Sequence, residues 1–238
     1  MSRRKMKPLL WQTTNRSVPC YFLGTMHLAD TWDDLVSKTL LRTFDACDVV
    51  CVEFNIEQAS TSQRKKAAAG LKRVISKDNI DDISERTKSI KRRIERSGKS
   101  TPKNMQLSGL DGLLLERATN SKKRIIALET FKEQMKSMKA ADTTVEAMNP
   151  NDGQPINQIH SAFLNGNIEL FEALSNSIWG PQAANWCDRH VRMTKRLLDN
   201  FRKMPEKSFF VAIGAIHLLS PANVLEMLDV GGIATERI

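Results

Sequence analysis

No run in this sequence approaches the ~20 consecutive apolar residues that a membrane-spanning helix needs. The basic start, Met1 to Trp11, loses its apolar character at once and does not read as a secretory leader. Cysteine is scarce. Of Cys20, Cys47, Cys51 and Cys187, three fall in or beside apolar patterns. Buried thiols in a reducing compartment are therefore expected, and a cytoplasmic location with them. Cys47-x-x-x-Cys51 would be half of a zinc site, but no second cysteine pair follows. A Gly-x-Ser-x-Gly elbow is absent, and so is a Gly-x-Gly-x-x-Gly turn after a strand. Gly98-Lys-Ser-Thr lacks the upstream glycine and preceding strand of a phosphate loop, and His-Glu-x-x-His does not occur. Serine-elbow, dinucleotide and P-loop chemistry are thereby set aside. Low-complexity tracts are missing as well.

What remains is a globular chain of 238 residues, 41% apolar. That length suits one large domain, or one domain with an insertion. The formal charge of +9 is concentrated. Residues 64–103 hold 14 Lys and Arg against 5 Asp and Glu, which leaves 22 of each sign elsewhere. Residues 57–103 read as a basic helical insertion or lid, able to meet nucleic acid or another anionic surface. A solvated helical face accounts for it more simply. No aromatic residue lies between Ile56 and Arg124, so bases would find no stacking platform there.

Four short apolar runs read as buried strands: 18–24, 49–54, 124–129 and 208–214. Helical patterns alternate with them. A helix starts near Asp30 to Asp34, one follows Glu129, and a long one runs from Pro181 to Arg202. Residues 233–238 read as an edge strand and residues 1–10 as a frayed start. The expectation is an α/β domain with a largely parallel or mixed central sheet flanked by helices. The first two strands, joined through a helix, are expected to be parallel neighbours.

One pattern occurs twice. Tyr21-Phe-Leu-Gly24-Thr-Met-His27 and Phe209-Phe-Val-Ala-Ile-Gly214-Ala-Ile-His217 each run from apolar strand to Gly-x-x-His. Half of the four histidines sit in this context; His160 and His190 do not. The glycine lets the backbone turn sharply or another group approach closely. The histidine then stands past the strand's C-terminal end, where open α/β sheets bind ligands. Glu53 and Glu129 close the second and third strands. Imidazoles with carboxylates form a normal first shell for zinc, manganese or cobalt, and Arg189 or Arg192 would stabilise developing negative charge. The plainer alternatives are a structural histidine bonded to a carbonyl, a carboxylate on a helix N-terminus, and Arg189 paired with Asp188 or Glu172.

Gly24-Thr-Met-His27-Leu, Val52-Glu53, Leu128-Glu129-Thr130 with Gln134, Asp188-Arg189 and Gly214-Ala-Ile-His217-Leu together resemble the TraB/PrgY/GumN family. That family includes the TIKI metalloproteases, which cleave Wnt proteins. The resemblance implies a fold like that of the erythromycin esterase and ChaN group, and a metal-dependent hydrolase acting on a peptide or protein. It implies His27, Glu53 and His217 at a divalent metal (Mn, Co or Zn), with Glu53, Glu129 and Arg189 as catalytic residues. The alternatives are a non-catalytic peptide-binding protein of the same fold, or a binder of anionic partners through 64–103. The chain departs from the family pattern in His190, where many members carry Asn, and in Ser220-Pro221 after the second His-Leu. It also lacks the membrane segments and secretion signal of some members.

Overall fold

The computed structural model describes residues 8–26, 37–55, 60, 110–137, 154–179 and 183–238. The basic segment 64–103 lies outside the described residues, as do His27 and the stretch around Asp30 to Asp34. The described elements are strands β1 (Leu10–Thr13), β2 (Cys20–Thr25), β3 (Val49–Val52), β4 (Arg124–Ala127), β5 (Phe209–Gly214) and β6 (Thr235–Arg237). The helices are α1 (Lys38–Ala46), α2 (Leu110–Asn120), α3 (131–137), α4 (Gln154–Leu164), α5 (Ile168–Trp179), α6 (Ala183–Lys203), α7 (Ile216–Leu219) and α8 (Val224–Val230). The fold is α/β, as expected, and its sheet is mixed.

The sheet order is β4-β3-β5-β2-β1-β6. The four strands from β4 to β2 are parallel, and β1 runs antiparallel to both β2 and β6. This corrects one expectation: β2 and β3 are not neighbours, because β5 lies between them. Every residue of β5 is buried, both faces included. A strand apolar on both faces belongs at the centre of a sheet covered by helices on either side. Two successive residues show it: Phe209 packs edge-to-face on Phe201 of α6, and Phe210 packs edge-to-face on Phe44 of α1.

Helices α1 and α2 cover one face, through Leu40, Phe44, Leu110, Leu114 and Ala118. Their 4-residue spacing is the helical stripe that such packing requires. Helices α4 to α8 cover the other face, with Phe163, Phe171, Met193, Leu197, Phe201 and Leu228 among the contacts. Cys47 and Cys51 fall in the clusters on opposite faces, so they do not form half of a metal site. All four cysteines are free thiols; burial pushes Cys47 up to about 12 and also raises Cys20 and Cys51.

One further expectation is corrected. Strand β1 begins inside the segment read as a frayed start. Its Leu10 and Trp11 are buried, and Thr13 Oγ1 accepts from Cys20 N–H at 3.0 Å. Helix α1 is capped by Ser37, whose side chain accepts from Leu40 N–H at 3.0 Å, and the helix start expected at 30–34 lies outside the described residues. Among the described residues, no helix is long and apolar enough to cross a membrane.

Candidate functional site

The parallel register aligns the ends of β2, β5, β3 and β4. Thr25 pairs with Gly214, and Val52 pairs with both Ala212 and Ala127. Backbone pairing continues past the strand ends. Ala215 N–H donates to Thr25 O at 2.8 Å, Leu128 N–H to Val52 O at 2.8 Å, and Glu129 N–H to Glu53 O at 2.7 Å. Glu53 and Glu129 are thereby adjacent across the sheet, and the chain beyond Gly214 leaves beside the end of β2. His217 is carried on α7, the single turn that starts two residues after β5.

Helix α6 supplies the roof. Its buried stripe of Phe201, Leu197 and Met193 continues at 3–4 residue steps into His190, Arg189 and Trp186. The apolar end of the stripe packs on the sheet, and the polar end reaches over the strand ends. Arg189 clamps Glu129 with a two-pronged bond, Nε to Oε1 at 2.9 Å and Nη2 to Oε2 at 2.6 Å. The same Nη2 stands 3.4 Å from Glu53 Oε2 and 3.4 Å from Gln134 Oε1. Glu53 Oε1 accepts the Gly214 N–H and lies 3.4 Å from His217 Nε2. On its other side, His217 Nδ1 is 3.0 Å from His190 Nε2, and His190 Nδ1 is 2.8 Å from Ala222 O. The indole of Trp186 stands 5.3 Å from the His217 ring and 4.9 Å from the Arg189 guanidinium carbon.

The five polar groups are nearly closed to solvent: His190 0%, His217 1%, Glu129 2%, Arg189 4% and Glu53 6% exposed. Burial alone would lower the Arg189 pKa. The bonds from Glu129 and the charge of Glu53 outweigh it and hold the guanidinium above its ordinary value. Burial pushes His190 down to about 4, with the charge of the neighbouring Arg189 adding to the effect. His190 is thus a neutral imidazole at ordinary pH.

Of the residues expected at the site, Glu53, Glu129, Arg189 and His217 come together, and His27 lies outside the described residues. Arg189 pairs with Glu129 and Glu53, not with Asp188 or Glu172. Arg192 points instead toward Glu133, 3.4 Å away. The residue underweighted from sequence is His190. Its signal was available in the α6 stripe, where position 190 falls on the buried face one turn before Met193. The two Gly-x-x-His glycines serve close approach rather than sharp turning, since neither has a positive φ. A methyl group at Gly24 would meet Leu9 and Ala215 at 3.2–3.3 Å, and one at Gly214 would meet Glu53 Oε1 at 2.8 Å.

Among the described residues, no group of three or more His, Cys, Asp or Glu side chains stands in metal-binding geometry. The pair that is described does fit one edge of a metal site. Two ligand atoms about 2.1 Å from a tetrahedral ion stand about 3.4 Å apart, and His217 Nε2 and Glu53 Oε1 are separated by 3.4 Å. Glu129, with both oxygens on Arg189, orients the guanidinium. Surface grooves of about 430 and 630 Å³ border α8 and are lined by none of these five residues.

A family model described as the TraB/PrgY/gumN family matches residues 9–237 of the chain. No curated protein and no solved structure matches it.

Proposed function

The chain belongs to the TraB/PrgY/gumN family, and from that membership and the rim geometry we propose that it is a metal-dependent hydrolase acting on a peptide or protein substrate. The observation that carries this reading is the 3.4 Å approach of His217 Nε2 to Glu53 Oε1 at the C-terminal rim of the parallel strands, beneath Arg189. His27, Glu53 and His217 would hold a divalent ion (Mn, Co or Zn), which supplies an activated water and polarises a carbonyl. Glu53 is fixed for this by the Gly214 amide. Arg189, held charged by Glu129 and Glu53, would stabilise negative charge developing on a substrate oxygen. Glu129 is a positioning residue that holds Arg189 flat by its two-pronged bond. The closed surroundings strengthen each of these charge interactions relative to water.

The test is metal analysis of the purified full chain together with hydrolysis of a mixed peptide library. The expected result is bound Mn, Co or Zn in the native chain, lost from the His27→Ala/His217→Ala variant. Hydrolysis falls with it, by on the order of 10²-fold or more. Unchanged metal content and unchanged hydrolysis in that variant overturn the reading. A second reading, a non-catalytic peptide-binding protein, is favoured by one feature: Arg189 and Glu129 are already satisfied by each other. It predicts peptide binding that survives loss of both histidines.

A further inference from the structure

We infer that His190 is a positioning residue: backed by the Ala222 carbonyl, it accepts the Nδ1 proton of His217 and so leaves Nε2 as the His217 atom turned to Glu53 and to a metal bound there. A carbonyl oxygen only accepts, so the ring nitrogen 2.8 Å from Ala222 O carries a proton. A neutral imidazole carries one proton only, so His190 Nε2 is an acceptor. The atom it meets at 3.0 Å is His217 Nδ1, which must be the donor. The opposite polarity would require a doubly protonated His190, fully buried, beside Arg189 and with its two ring nitrogens on Ala222 O and His217 Nδ1 rather than on a carboxylate. Such a charge is costly without a paired partner.

The backing group is itself fixed. Ala222 adopts φ 53°, a left-handed conformation unusual for alanine. It is held between two anchored ends. Ser220 N–H donates to Ile216 O at 3.0 Å, closing α7, and Asn223 caps α8 by accepting from Glu226 N–H at 3.0 Å. The carbonyl is therefore aimed by the loop joining the helix that bears His217 to the next one. Where a metal-ligating histidine commonly gives its second nitrogen to a carboxylate or a carbonyl, this chain interposes a second imidazole.

The inference rests on the hydrolase reading only for its purpose, since the tautomer exists with or without a metal. The experiment uses the full chain labelled with ¹⁵N at histidine, at about pH 8, where an ordinary imidazole is neutral. Long-range ring correlations give the tautomer directly. With four histidines in the sequence, single substitutions assign them. His217 is expected to be protonated at Nδ1 in the native chain. In His190→Leu it shifts to the Nε2-protonated form. In His190→Gln, whose amide oxygen replaces the Nε2 acceptor, the Nδ1 form returns. Zn²⁺ affinity is expected to fall about 10–100-fold in His190→Leu and to recover in His190→Gln. An Nε2-protonated His217 in the native chain overturns the inference, and so does an unchanged Nδ1 form in folded His190→Leu. Should His190→Leu fail to fold, the native spectrum alone decides. A native Nδ1 tautomer with no Zn²⁺ bound and no hydrolysis keeps the relay and retires the hydrolase. Zn²⁺ lost in His217→Ala, with a tautomer indifferent to His190, does the reverse.

Discussion

At Gly214 the missing side chain is itself part of the site. The Glu53 carboxylate fills the space a methyl group would take, 2.8 Å from where that carbon would stand. Glu53 cannot swing away freely, because it is buried and held between the Gly214 amide, Arg189 and His217. Gly214→Ala is therefore expected to cost about 1–3 kcal/mol by overpacking, read by urea unfolding, and to abolish Zn²⁺ binding with it. The nearest atoms that Gly24→Ala meets are the side chain of Leu9 and the backbone and side chain of Ala215. It should lower stability in the same assay while leaving Zn²⁺ affinity near native, which separates packing from site geometry. Arg189 offers a second test. Truncating one partner of a buried ion pair strands the other, at about 3–5 kcal/mol. Arg189→Met should cost this much in urea, since Glu129 then loses both of its bonds. Arg189→Met/Glu129→Leu should recover most of it, and a double variant no more stable than the single would refute the account.

Helix α3 shows how one element fixes the rim from outside. Thr130 and Glu133 form a capping box: Thr130 N–H donates to Glu133 Oε2 at 2.7 Å, and Glu133 N–H to Thr130 Oγ1 at 3.3 Å. Glu133 also grips Arg196 of α6 with two bonds of 2.9 Å, and Arg196 reaches back to the Leu128 carbonyl. Start of α3, end of β4 and middle of α6 are thus tied together immediately beside Glu129. The bonds from Arg196, with those from Thr130, hold Glu133 down at about 2 against an ordinary 4.5. Its folded pKa lies below its unfolded one, so the stability it contributes is complete above about pH 4.5 and is lost as pH falls toward about 2. Glu133→Gln should be less stable than native at pH 7 and lose less on acidification across that window, measured by urea unfolding at several pH values. A native and a variant acid limb of equal slope would contradict it. The helix after Glu129 was legible because its cap, Thr130-x-x-Glu133, is written locally. The cap of α1, Ser37, was not legible, because Ser37 lies inside a run of apolar and polar residues with no Glu or Gln at position 40 to complete a capping box. Strand β1 was illegible for a similar reason, since it has few apolar residues and gains its burial from β2 and β6.

The whole molecule depends on a strand that arrives late in the chain. Strand β5 pairs in parallel with β2 on one side and β3 on the other, so that Phe209 meets both Cys20 and Val49. The apolar runs marked β2, β3 and β5 rightly as buried strands, but β4, expected to be buried as well, lies at the sheet's edge and is only half-buried; the recurrence of Gly-x-x-His hinted that two strands share an edge. Neither signal states sheet order, because burial on two faces is satisfied by several orders of the same strands. Order is decided by which strand best tolerates the centre, and that is β5 with its two phenylalanines turned to opposite faces. Without it the sheet divides into a β1–β2 hairpin-like pair and a β3–β4 pair, each losing the neighbour that covers its inner edge. Two-stranded fragments of this kind are marginal in water. A chain ending at Pro205 should therefore show no cooperative urea transition and no near-ultraviolet circular dichroism. Adding residues 206–238 as a separate peptide should restore both, at a rate limited by pairing distant segments. Zn²⁺ binding should return in step with them, because His217 is delivered by the same strand that closes the sheet. A cooperative transition in the shortened chain alone would show that β5 completes the site without being needed for the fold.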